Sequence, residues 1–222
     1  MIVVDKYKYK ELDSETDPSG PRVYLTPSGN RVPSVTTILS GTKDMTFLKE
    51  WRERIGDHKA NDIVQRSTKW GTSVHKNLED YILEDKKPEG NIFVKHMTNQ
   101  IIKNGLSKVD EIWGCEVQLY AEGLYAGTTD AVGIHEGMPA IIDFKNARSQ
   151  RKDEWVQDYR LQVVAYALAH NEMFGTNIKR GVVMLATQDG HYQEWIIEGE
   201  DFDNAALEWA DRVTQYYQKT AA

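Results

Sequence analysis

GTTDAVGIHEGMPAIIDFKNA, residues 127–147, sets a carboxylate and an ammonium into what is otherwise a core strand. The apolar run Ala140, Ile141, Ile142 leads straight into Asp143, Phe144 and Lys145. Strand side chains alternate with a period of two, so Asp143 and Lys145 share one face and Phe144 takes the other. Asp130 falls in the preceding strand. Burying ionised groups is costly unless they are paired or bind a metal, so the charges mark a site, read here as one for a divalent cation. A partly buried Asp143–Lys145 ion pair without chemistry is the alternative.

Working outward, composition bounds the answer. The chain has 222 residues, 40% hydrophobic, enough for a single domain over 1–222, with a hairpin and helical portion at 1–105 and a core at 106–222. Its one cysteine, Cys115, excludes a disulfide framework or a cysteine-ligated iron-sulfur cluster within the chain. No apolar run reaches the roughly 20 residues of a membrane span, and acids in MIVVDKYKYKELDSE argue against a secretory or mitochondrial leader. The expectation is a cytoplasmic protein of a bacterial or phage-infected cell, not secreted and without a membrane partner. Net charge is −7, yet KNARSQRK at 145–152 holds Lys145, Arg148, Arg151 and Lys152 with no acid, while 198–211 is strongly acidic. The sum therefore does not exclude nucleic acid.

Along the chain, residues 1–33 read as an irregular leader with a hairpin of 22–26 and 30–32 around Pro27, Ser28 and Gly29. Ser34 caps a short helical turn through Leu39. A helical pattern runs over 44–69, with Phe47, Leu48, Trp51 and Ile55 at three- and four-residue spacing. Its cations, Arg52 among them, form either a solvated face or a DNA-backbone contact. Gly71 and Thr72 open a further helix that turns His75 inward, as a satisfied core histidine or a metal ligand. Another helix spans 91–104. Strands are expected at 112–120, 124–134 and 140–146, paired antiparallel in sequence order, with Glu116 inside the first. A long buried helix over 153–174 lines up Trp155, Tyr159, Gln162 and Tyr166. Strands at 180–187 and 192–197 and a helix at 201–218 complete the chain.

In their order these motifs resemble the PD-(D/E)xK nucleases, and within them the RecB-type exonuclease branch, over residues 33–170. GTSVH is similar to the motif that carries a metal-binding histidine, here His75. GTTD matches the motif of the first acid, Asp130, and IIDFK the (D/E)xK core with Asp143 and Lys145. Gln162 and Tyr166 match the spacing of the QxxxY helix motif. PSVTTIL, a Trp-Arg pair and GTxxHxxLE look most like mitochondrial genome maintenance exonuclease and its phage-encoded relatives.

The resemblance implies an α/β, restriction-endonuclease-like core, a small mixed β-sheet flanked by helices with an N-terminal helical portion. It implies a DNA exonuclease in replication, recombination or repair, using Mg2+ or Mn2+ and no iron-sulfur cluster, on single strands or DNA ends. Asp130, Asp143, Lys145 and Gln162 would be catalytic. His75, Asp130, Asp143 and Phe144 would form the metal site, with Glu116 corresponding loosely to an acid that some members use there. Arg148, Arg151, Lys152 and Tyr166 would contact DNA, with Arg52 further off, and replication or recombination proteins are candidate partners. A structure-selective endonuclease on the same core and a non-catalytic DNA-binding recombination factor stay open. Intact Asp130, Asp143 and Lys145 argue against the second of these.

Overall fold

The computed structural model describes residues 1–16 and 21–221. Its centre is a mixed six-stranded sheet in the order β1-β5-β6-β7-β8-β9: β1 (Ile2–Val3), β5 (Val109–Ala121), β6 (Tyr125–His135), β7 (Met138–Ala147), β8 (Arg180–Thr187) and β9 (Tyr192–Glu198). The three strands from β5 to β7 form an antiparallel meander, as their tight connections require. β8 then pairs parallel to β7, so the chain must cross over, and α5 (Gln157–Phe174) is that crossover. A small three-stranded sheet, β2 (Asp13–Thr16), β3 (Arg22–Leu25) and β4 (Arg31–Pro33), contains the expected hairpin.

Both faces of the large sheet are buried, which is why β8 reads as the unbroken apolar run GVVML. On one face α5, α1 (Val35–Thr42) and α6 (Gly199–Thr220) enclose Ile141, Val183 and Val132. On the other, α3 (Asp57–Glu84) and α4 (Ile92–Asn104) cover Ile142, Phe144, Val182 and Met184. Consecutive residues of β7 thus enter different cores, as a period of two demands. The α/β class and the helix-flanked mixed sheet are as expected. No helix among the described residues is long and apolar enough to cross a membrane.

The helical region before the sheet departs from expectation. The pattern over 44–69 is two helices, α2 (Thr46–Ile55) and the start of α3, broken at Gly56 with φ of 83°. Only glycine takes that conformation without a steric penalty. Of the expected stripe, the side chain of Phe47 lies outside the described residues. Gly71 does not open a helix, since α3 runs straight through it. The long helix expected at 153–174 begins as a 3-10 turn, Asp153–Trp155, and Trp155 is 49% exposed, so it leaves the stripe of Tyr159, Gln162 and Tyr166. Asn91 and Ser34 cap α4 and α1 through side-chain oxygens that accept otherwise orphaned N–H groups.

The leader is tied down by more than β1. Tyr7 and Tyr9 pack with Trp113, His170 and Phe174. The Tyr9 hydroxyl lies 3.0 Å from His170 Nε2, and His170 Nδ1 lies 2.8 Å from Thr176 Oγ1, which donates to Asn171 Oδ1. A neutral His170 protonated on Nδ1 gives every donor in this chain an acceptor. Burial, with Lys6 nearby, pushes His170 down to about 4 from its ordinary 6.5. A depressed imidazole pKa favours folding above 6.5, and that contribution disappears as pH falls toward 4. Between pH 7 and pH 4.5, urea unfolding should show the wild type losing stability relative to His170→Gln by on the order of 2 to 3 kcal/mol. Equal losses in both proteins would place the acid sensitivity elsewhere.

Candidate active site

The site forms where β6 and β7 part. Their ladder runs from His135 paired with Met138 to Ala131 paired with Ile142. The next positions on the open side are Asp130 and Asp143, and no further rung follows among the described residues. In its place the Phe144 N–H donates to Asp130 Oδ2 at 2.6 Å, so a side-chain carboxylate accepts the bond that a neighbouring strand would have taken. On the other side of β6, Cys115 pairs with Ala131 and Val117 with Thr129, bracketing Glu116 opposite Asp130. Glu116, Asp130 and Asp143 therefore occupy facing positions on three adjacent strands, with strand spacings of about 4.8 Å. Glu116 reaches its place in the left-handed region, φ of 52°. For a non-glycine residue inside a strand this costs about 1 to 3 kcal/mol, and such strain concentrates at functional sites.

His75 comes from α3, whose approach to β7 is set by a missing side chain. A Cβ on Gly71 would lie 3.0 Å from Asn146 Oδ1. A glycine in a helix interior costs about 1 kcal/mol against alanine, and here it lets the helix close on the strand. One turn later His75 Nδ1 stands 3.3 Å from Asp130 Oδ1, with its ring edge-on to Phe144. Ligand atoms of His75, Glu116 and Asp130 all lie within 4.8 Å of one another. An imidazole nitrogen with two carboxylates suits a divalent cation. Asp143 makes a different contact, an ion pair with Lys145 Nζ at 2.6 Å.

Electrostatics separate these groups. Burial pushes Asp130 up, but His75, Lys145 and the Phe144 N–H outweigh it and hold the carboxyl below its usual range. Burial pulls His75 down, and Asp130 more than reverses that, so the imidazole is held above 6.5. A cation binding at His75 competes with a proton for the same nitrogen. Burial raises Asp143 to about 6, Asp130 adding to it and Lys145 opposing. For Glu116, burial of the carboxyl and then Asp130 give about 7. The residue is otherwise exposed, so Asp130 across the ladder is the more telling cause. Glu79, one turn beyond His75 on α3, adds to the same negative field.

The remaining residues divide. Tyr166 is 2% exposed, with its hydroxyl 2.7 Å from where a Cβ on Gly127 would sit, so it is a wall behind the site and not a surface for DNA. Gln162 neighbours that hydroxyl, and Tyr159, unassigned by the sequence, sets its ring 5.2 Å from Lys145 Nζ. The Lys145–Tyr159 contact follows no spacing rule, because it joins a strand to a helix. Arg148, Arg151 and Lys152 are exposed on the loop after β7. Arg52 lies apart, bound to Asp57 at 3.1 Å and Asn61 at 2.6 Å where α2 meets α3. A concavity of about 560 Å³, lined by Asp62, Gln65, Arg66, Lys69 and Trp70, follows the outer face of α3. At about 100° per residue those positions stand away from His75, outside the carboxylate site.

No protein-family model matches the sequence, and no curated protein matches it. Among solved structures, SSO0001 is similar over 83% of this chain and 76% of its own, at 16% identity and a TM-score of 0.40. A "Putative exonuclease" from Eubacterium rectale is similar over 69% of this chain and 65% of its own, at 15% identity and a TM-score of 0.48.

If the three-residue cluster holds a cation only in the folded chain, Mn2+ at 100 times its Kd should add about 2.7 kcal/mol of stability, several degrees in Tm. Scanning calorimetry should show that rise in the wild type and its loss in His75→Ala and Glu116→Gln. A full rise in both variants would remove these residues from the metal site.

Proposed function

We propose that this chain is a metal-dependent deoxyribonuclease that hydrolyses phosphodiester bonds, acting as an exonuclease on single strands or DNA ends. The observation that supports it is the convergence of Glu116 and Asp130 from adjacent strands on His75, with Asp143 at the next strand's facing position and paired to Lys145 two positions on. A divalent cation, Mg2+ or Mn2+, held by His75, Asp130 and Glu116 with Asp143 beside them, would polarise a phosphoryl oxygen and lower the pKa of a water.

The chain's own residues do the rest. Lys145, held protonated by Asp143 and Asp130 against the opposing effect of burial, offers a positive charge to the pentacovalent oxygens as negative charge develops on them. Asp143 fixes the direction of that ammonium, and the Tyr159 ring limits its swing. Gln162, beside the buried Tyr166 hydroxyl, would turn its amide to a phosphate or to the lysine. Arg148, Arg151 and Lys152 supply a cationic path for the strand.

Asp143→Asn should lower cleavage about 10²- to 10³-fold. From sequence alone it looks structurally benign, because it removes a buried charge. The 2.6 Å contact reverses that expectation, since the variant strands Lys145 without its partner. Activity must therefore be measured beside Tm, with Lys145→Met as the companion that removes the other half. The assay compares linear and circular single-stranded and duplex DNA in Mg2+, Mn2+ and EDTA. Cleavage of circles as fast as linear strands would favour an endonuclease, and binding with no metal-dependent cleavage would leave a non-catalytic DNA-binding factor.

A further inference from the structure

The basic loop after Lys145 is fastened from the far side of the sheet. Gln193 Nε2 donates to the Arg151 carbonyl oxygen at 2.9 Å, and the Arg151 N–H donates to Gln193 Oε1 at 2.7 Å. A side-chain amide that gives and receives in this way imitates one rung of a ladder on the outer strand, β9. Two residues on, Trp195 Nε1 donates to Asp153 Oδ1 at 2.7 Å.

Register connects these anchors to the catalytic pair. Lys145 pairs with Leu185, and Leu185 pairs with Gln193; Asp143 pairs with Val183, and Val183 pairs with Trp195. Directly paired residues project to the same face, so the two rows that carry Asp143 and Lys145 end on the two side chains that hold the loop. Two strand spacings place Gln193 about 10 Å from Lys145 across the sheet. The sequence hides this, because a glutamine and a tryptophan on an edge strand read as a polar and an apolar surface residue.

We infer that Gln193 and Trp195 are positioning residues for the nucleic-acid strand. They fix the backbone of residues 151–153 at a set distance from Lys145, so that Arg148, Arg151 and Lys152 meet the strand's phosphates in one register relative to the bond to be cut. The inference rests on the nuclease reading and adds to it a part for β9.

The test uses the full chain with Gln193→Met, which keeps the volume and removes both hydrogen bonds, and Trp195→Phe, which keeps a ring and removes the donor. Binding of oligodeoxythymidine is measured in Ca2+ against salt, together with cleavage of that strand and of bis(4-nitrophenyl) phosphate, which is too small to span the loop. Each variant should lose about 0.7 in the slope of log affinity against log salt for every phosphate contact released. KM for the oligonucleotide should rise about tenfold, with kcat and the small-diester rate close to wild type and Tm lowered by about 2 to 4 °C. Arg148→Ala with Arg151→Ala is the reference. If that double variant lowers the slope while Gln193→Met and Trp195→Phe keep the wild-type value, the positioning role is overturned and the DNA path stands. If the double variant also keeps the wild-type slope, the loop is not the path and the inference falls with it.

Discussion

One hydrogen bond orients the middle of three carboxyl groups that face one another at the open end of the sheet. Glu116, Asp130 and Asp143 come from adjacent strands, and the β6–β7 ladder ends beside the last two. The Phe144 N–H, left without a backbone acceptor, binds Asp130 Oδ2 and orients the middle carboxylate, which His75 and Lys145 do most to hold ionised. Charge-assisted bonds of this kind are roughly twice as strong as neutral ones. Without it β7 would carry a buried, unsatisfied donor beside an undirected anion. His75 and Lys145 then supply positive charge from either side.

The supporting architecture works by clearance as much as by contact. Gly71 lets α3 close on β7, and Gly127 leaves room for the Tyr166 hydroxyl of α5. Two helices on opposite faces of the sheet thus reach one site because each passes over or beside a residue with no side chain. Large residues elsewhere fill both cores tightly, with Phe144, Ile141 and Ile142 from one short segment divided between them. The chemistry-bearing part of β7 is therefore held by two independent cores.

Much of this was legible in the sequence, and the reason is periodicity. Alternation fixed the opposite faces of Phe144 and Lys145, and the strands at 112–120, 124–134 and 140–146 differ from the observed ones only at their ends. Helix boundaries were harder. Gly56 and Gly71 look alike in a sequence, yet one breaks a helix through a positive φ and the other sits in a helix interior for packing. Trp155 matched a helical stripe by spacing but falls in a 3-10 turn before it. In the site, Glu116 corresponded only loosely to a metal-site acid, because strand spacing says nothing of registry, and the observed pairing brings it beside Asp130. Tyr166 looked like a DNA contact, whereas its burial makes it part of the wall. Tyr159, Gln193 and Trp195 act through contacts between elements far apart in sequence, for which no local pattern exists.

The bond between Phe144 and Asp130 also gives the molecule a built-in spectroscopic marker. A short bond to an ionised oxygen deshields an amide proton strongly, so the Phe144 resonance should stand downfield of its neighbours in β7. Any cation that draws electron density from Asp130 weakens that deshielding without moving the strand. The occupancy of the carboxylate cluster would therefore be written into the chemical shift of one main-chain proton, one residue before Lys145, which would meet the substrate's charge.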